Sequence, residues 1–174
     1  MTTATLTTAA APPGPAAMLL IQAGDAAPLG PAPDAGDAPE ATSRPHVPTV
    51  LLVEDNHINQ VVALEFLSLM GVKSRLAKNG LEAVSQCLEA APDLVLMDIQ
   101  MPGMDGLECA RRLRELQREG RLPAFPILAL TAHALESDVS ASIDAGMDEH
   151  LTKPLDFVAL RARLGRWLKL PGLN

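Results

Sequence analysis

The chain is short of basic residues. Lys and Arg number 14 against 21 Asp and Glu, for a net charge of −7. That balance argues against a basic footprint for nucleic acid, which needs Lys and Arg to cluster. No apolar run approaches the length of about 18 residues that a membrane span needs. No secretory leader is expected from these residues: the N-terminal stretch has no basic start, and Met18-Leu19-Leu20-Ile21 is too short to serve as an apolar core. Cysteine is scarce. Cys87 and Cys109 both fall at apolar positions of predicted helices, so they read as reduced core residues, not as a disulfide or a metal pair. These absences together point to the cytoplasm. There is no tyrosine at all.

Hydrophobic residues make up 48% of the chain, enough for a core, although much of that share is alanine. At 174 residues there is room for one ordinary domain and a tail. The tail is visible in the composition. Residues 1–48 hold 13 Ala, 9 Pro and 4 Gly, with one basic and four acidic residues. Proline at that density breaks helices, and alanine cannot supply a core. Residues 1–47 are therefore expected to be a disordered tail or linker, spanning about 35–40 Å as a flexible coil. Residues 48–170 are expected to form the domain, with 171–174 a short C-terminal tail.

From Thr49 onward, apolar strands alternate with helices. Val50-Leu51-Leu52-Val53, Val72 to Ala77, Leu94 to Met97, Pro126 to Leu130 and Glu149 to Thr152 read as five strands. The helix from about His57 to Met70 is expected to bury a stripe of Ile58, Val62, Phe66 and Leu69, and Gly71 stops it. A second helix carries Ala83, Val84, Cys87 and Leu88, a third Leu107, Ala110 and Leu113. The fourth has only a sparse stripe of Leu135, Val139 and Ile143, and the last carries Phe157, Leu160, Leu164 and Leu168. Strands that read as continuous apolar runs imply a parallel sheet covered on both faces. Five such units fit an α/β, doubly wound sheet, whose site lies beyond the carboxyl ends of the strands.

Chemistry-bearing residues stand at those ends. Glu54 and Asp55 end the first strand and Asp98 the third. Thr131 ends the fourth, and Lys153 followed by Pro154 ends the fifth. Each has a plainer use: a turn residue, a helix cap or a solvated charge. Their joint occurrence, in order, at the ends of successive strands argues for a site. Three carboxylates brought together repel, at about 4 kcal/mol per pair for about 4 Å and an effective dielectric of about 20. Such a cluster must protonate or bind a cation, and oxygen-only ligands favour a hard ion such as Mg²⁺. Asp55 and Asp98 are the expected direct ligands, with Glu54 acting through water and the Gln100 backbone carbonyl as a further oxygen. A free Asp98 oxygen is then a nucleophile for phosphorus. Lys153 and Thr131 suit the oxygens of the transferred group.

Val53-Glu54-Asp55-Asn56, Leu96 through Gly106, Ala129-Leu130-Thr131-Ala132 and Leu151-Thr152-Lys153-Pro154 resemble the receiver domain of two-component response regulators, over roughly residues 48–170. The resemblance implies a flavodoxin-like fold with five parallel strands in the order 2-1-3-4-5. It implies that Asp98 is the phosphoacceptor, served by a histidine kinase or a histidine phosphotransfer protein, with Mg²⁺ at Glu54, Asp55 and Asp98. It also implies that Thr131 and Lys153 contact the phosphoryl group and that the Lys153–Pro154 bond is cis. The Asp55-Asn56 pair, Gln100 and the stretch from Gly146 to Pro154 look most like receivers of hybrid sensor kinases.

One departure concerns the switch. Members of the family it resembles commonly carry Tyr or Phe three residues before the lysine; here that place is His150, which would work with Thr131 as a smaller ring filling the same space. A downstream protein is expected on the face of the fourth helix, fifth strand and fifth helix. Nothing before Thr49 resembles a kinase or a DNA-binding unit, so a single-domain switch or relay intermediate is expected. Self-phosphorylation and self-dephosphorylation would be its limit as an enzyme. Two alternatives stay open: a C-terminal receiver fragment of a hybrid sensor histidine kinase, and an interaction module that is never phosphorylated. An aspartate-based phosphatase is disfavoured, because Gln100 stands where its second Asp would be.

Overall fold

The computed structural model describes residues 45–133 and 135–171. The disorder expected for residues 1–47 falls almost wholly outside the described residues, as do positions 172–174. Ten elements alternate without interruption: β1 (Thr49–Val53), α1 (His57–Leu69), β2 (Lys73–Ala77), α2 (Gly80–Glu89), β3 (Leu94–Asp98), α3 (Gly106–Arg118), β4 (Ile127–Thr131), α4 (Glu136–Asp144), β5 (Glu149–Thr152) and α5 (Phe157–Trp167). All strand pairs are parallel, and the sheet order is β2-β1-β3-β4-β5. The expected α/β architecture and strand order are what is found.

Strand side chains alternate between the two faces, and each face builds its own core. Leu51, Val53, Val95, Met97 and Ile127 pack with Cys87, Cys109, Leu113 and Leu116 of α2 and α3. Val50, Leu52, Leu94, Leu96 and Leu128 pack with Leu67, Leu160 and Leu164 of α1 and α5. Both cysteines are free and buried, and burial pushes their thiols up to about 11 at Cys87 and about 12 at Cys109. Phe66 meets Phe157 edge to face at 5.5 Å between ring centres, joining α1 to α5.

The helices start where the chain supplies short polar side chains. Asn56, Asn79, Asp105 and Asp156 each accept a hydrogen bond from the backbone N–H three residues on, at 3.1, 2.8, 2.8 and 2.8 Å. α4 is the exception, since its N-cap is Leu135, which makes no side-chain cap.

The expected α1 stripe needs correction. Ile58 and Leu69 are 73% and 65% exposed, and Val62 is exposed as well. The helix turns Gln60, Ala63 and Leu67 inward instead, and only Phe66 of the expected set is partly covered. α1 is apolar on both sides, so its periodicity fits either face, and packing against the sheet decided between them. Leu88 of α2 also faces outward. β2 is not a buried run: it begins at Lys73, and Lys73 and Ser74 are exposed at the sheet edge.

Gly106 brings the start of α3 against the strand that carries Asp98. A Cβ there would overlap the Asp98 carbonyl oxygen and come within 2.8 Å of Ile99 Cα, while the Gly106 N–H donates to the Ile99 carbonyl at 3.0 Å. Backbone cannot give way as a flexible side chain can. Gly106→Ala is expected to lower stability by about 1–3 kcal/mol in urea denaturation. Unchanged stability would show that α3 can move off the strand freely.

Candidate functional site

Four strand ends converge. β1 and β3 pair through Val53 and Met97, β3 and β4 through Asp98 and Leu130, and β4 and β5 through Thr131 and Thr152. Glu54 continues β1 by one residue, its N–H donating to the Ala77 carbonyl at 3.0 Å. Glu54 and Asp98 are buried, at 1% and 3% exposure; Asp55 is exposed. One oxygen from each of the three carboxylates lies within 4.8 Å of the others.

Lys153 reaches into this cluster. Its Nζ lies 2.7 Å from Glu54 Oε2 and 3.2 Å from Asp98 Oδ1. The Lys153–Pro154 peptide is cis, and the Lys153 N–H donates to the Thr131 carbonyl at 2.7 Å. The carboxylates have backbone donors too. The Gln100 N–H donates to Asp98 Oδ1 at 3.1 Å, and the Asn56 N–H to Glu54 Oε1 at 3.1 Å.

One lysine does not offset burial among acids. Desolvation, then the neighbouring Glu54 charge, push the Asp98 carboxyl up to about 7, while Lys153 and the Gln100 N–H pull the other way. A cation among the three carboxylates would act in the same sense as Lys153. The donor set is all oxygen, partly buried and open on the Asp55 side, which fits a hard divalent ion that keeps some water.

The structure thus gathers Glu54, Asp55, Asp98 and Lys153, and brings the Gln100 backbone to Asp98. Thr131 is buried at the end of the neighbouring strand. Its hydroxyl is engaged by the following loop: Oγ1 donates to the His133 carbonyl at 2.8 Å and accepts from the His133 N–H at 3.2 Å. His150 lies half-buried on β5 opposite Ala129, to one side of the acid cluster. Sequence reasoning missed Gln60. It is buried at 6% exposure, and its amide donates to the Glu54 carbonyl at 2.8 Å. The available signal was a polar side chain sharing an α1 stripe with Ala63 and Leu67, which counts only once that stripe is known to face inward.

Residues 50–165 match the response regulator receiver domain family. Sensor histidine kinase GacS of Pseudomonas protegens is 38% identical over 132 residues, which are 76% of this chain and 14% of that protein. Hybrid signal transduction histidine kinase K of Dictyostelium discoideum is 37% identical over 119 residues, 66% of this chain and 10% of that one. The chain therefore spans only a small part of the curated relatives it matches. Among solved structures, it is similar to the receiver domain of sensor histidine kinase PA1611 from Pseudomonas aeruginosa, which has a magnesium ion coordinated in its active-site cleft. That likeness has 36% identity and a TM-score of 0.63, covering 70% of this chain and 98% of the other. It is also similar to the co-crystal structure of the Saccharomyces cerevisiae histidine phosphotransfer protein Ypd1 with the receiver domain of Ssk1. There the identity is 34% and the TM-score 0.66, with 70% and 88% covered. The family match over residues 50–165, with the parallel sheet and acid cluster beneath it, makes this chain a member of the response regulator receiver domain family.

Proposed function

We propose that Asp98 accepts a phosphoryl group from a phosphohistidine of a histidine kinase or histidine phosphotransfer protein, and that the domain acts as a phosphorelay switch. The observation that carries this reading is a buried Asp98 held between two further carboxylates and Lys153 Nζ at 3.2 Å. An Asp98 carboxylate oxygen attacks phosphorus, forming the aspartyl phosphate as the phosphorus–nitrogen bond to the donor histidine breaks and that ring recovers its electron pair. Glu54, Asp55, Asp98 and the Gln100 carbonyl would hold Mg²⁺. When bound, the ion supplies positive charge against the transferring group. Lys153 exchanges its contact with Asp98 for a phosphoryl oxygen, and the Thr131 hydroxyl donates to another. Small phosphodonors would serve by the same chemistry, as self-phosphorylation.

Two surfaces suit partners. The outward stripe of α1, with Ile58, Val61, Val62 and Leu69 exposed, begins three residues past Asp55 and fits an apolar phosphodonor surface beside the acceptor. Leu135, at the N-cap of α4, and Ile143 within that helix are each 60% exposed; with β5 and α5 they would form the downstream face, whose state His150 and Thr131 would report. The receivers of hybrid kinases among the relatives favour a second reading alongside the first, in which this is the receiver portion of a hybrid sensor histidine kinase.

Incubation with acetyl phosphate and Mg²⁺ is expected to add one base-labile phosphoryl group, seen by intact mass, and none to Asp98→Asn. Equal labelling of the two proteins would overturn the assignment. Asp55→Ala is expected to keep the fold, by circular dichroism, and to lose Mg²⁺ binding in calorimetry; parental affinity would remove Asp55 from the metal site. Ile58→Asp is expected to slow transfer from a phosphohistidine-bearing protein at least about tenfold while leaving labelling by acetyl phosphate unchanged. An equal effect on both donors would argue against an α1 docking surface.

A further inference from the structure

We infer that Gln60 is a positioning residue for the acid cluster: its side-chain amide holds the Glu54–Asp55 peptide and so aims Asp55 into the site. The inference rests on the phosphoacceptor reading above. It starts from burial. Among the described residues the buried polar side chains are Glu54, Gln60, Asp98, Thr131 and Ser142. Three of these stand at strand ends around the site. Ser142 donates to the Val139 carbonyl within its own helix. Gln60 instead reaches out of its helix, back across the loop from β1 to α1.

The bond it makes is well placed to control Asp55. A trans peptide is a rigid plane, with its C=O and N–H pointing in opposite directions. The carbonyl that Gln60 Nε2 holds at 2.8 Å belongs to Glu54, so the same plane carries the N–H of Asp55. Rotating that plane would swing the Asp55 Cα–Cβ bond. The loop is held at its other points by different groups. The Glu54 N–H is tied to Ala77, and the Glu54 carboxylate to the Asn56 N–H and to Lys153. Asn56 caps α1 through the Asn59 N–H. The Gln60 bond is the one that fixes the plane between the two acids. Asp55 is the exposed member of the cluster, and the peptide before it sets the direction in which its side chain leaves the chain. A buried carbonyl left without its donor would turn to find another.

Gln60→Leu keeps the volume and removes the donor. Ala63→Gly, on the same inward stripe, loosens α1 without touching the bond and serves as the control. In the metal-free protein, the Asp55 amide is expected to shift in ¹H–¹⁵N spectra and to exchange faster in Gln60→Leu, but not in Ala63→Gly. Mg²⁺ affinity by calorimetry is expected to fall about tenfold, the lower end of what loss of an outer support costs a metal site. Labelling by acetyl phosphate should fall at limiting Mg²⁺ and return to the parental rate at saturating Mg²⁺, a rescue that general loosening would not give. If Gln60→Leu does not fold, Gln60→Asn, whose amide stops one methylene short, is held to the same outcomes. Parental Mg²⁺ affinity in the Gln60 variant, or an equal loss in Ala63→Gly, would overturn the inference. A parental protein that neither binds Mg²⁺ nor labels would overturn the phosphoacceptor reading instead.

Discussion

Repulsion among Glu54, Asp55 and Asp98 is the constraint around which the domain is arranged. Left alone, three carboxylates with oxygens within 4.8 Å would spread apart or protonate. Lys153 bridges two of them, and it directly follows β5, at the far edge of the sheet from β2. The bridge closes only if β1, β3, β4 and β5 lie in the observed order and register. Two backbone N–H groups add partial positive charge where the acids need it. Desolvation, and after it the Glu54 charge, still push the Asp98 carboxyl up to about 7 against these contacts.

Holding acids at such tips demands a rigid frame, and the sequence meets that demand with ordinary means. β3 and β4 are buried along their full length, so they cannot slip without exposing one core face or the other. Gly106 lets α3 approach the Asp98 strand at backbone distance. Arg114 ties α3 to the far end of the sheet. It donates to the carbonyls of Gly146 and Phe125 and pairs with Asp148 at 2.6 Å, and the same Asp148 carboxylate accepts from the Ile127 N–H that starts β4.

What could be read in advance follows from how local each signal was. The strands at the site were legible because two-sided burial writes itself as an unbroken apolar run, and the acids, Thr131 and Lys153 were legible because they sit directly at the ends of those runs. The inward face of α1 was not. Ile58, Val62 and Leu69 offer a stripe as plausible as the true one, and only the sheet's surface selects Gln60, Ala63 and Leu67. Gln60 was hidden for the same reason, since a glutamine on a helix looks solvated until the helix is docked. β2 was read too generously from Val72, Leu76 and Ala77, because an edge strand needs only one well-covered side. The Arg114 contacts join residues too far apart in sequence to leave any local pattern.

The helices are unequal in how firmly they are held, and the inequality bears on signalling. α1, α2, α3 and α5 each begin with a side-chain cap, worth about 1 kcal/mol. α4, with Leu135 at its N-cap, begins without one and buries only Ser142 within its length. Leading into it is the loop whose His133 backbone engages the Thr131 hydroxyl twice. Under the proposed role, a phosphoryl group on Asp98 competes with the His133 carbonyl for that one hydroxyl proton. Donating it inward releases the loop at the point where the uncapped helix starts. A small exchange of hydrogen bonds at the site is thereby applied to a helix that lacks a side-chain cap and buries only Ser142.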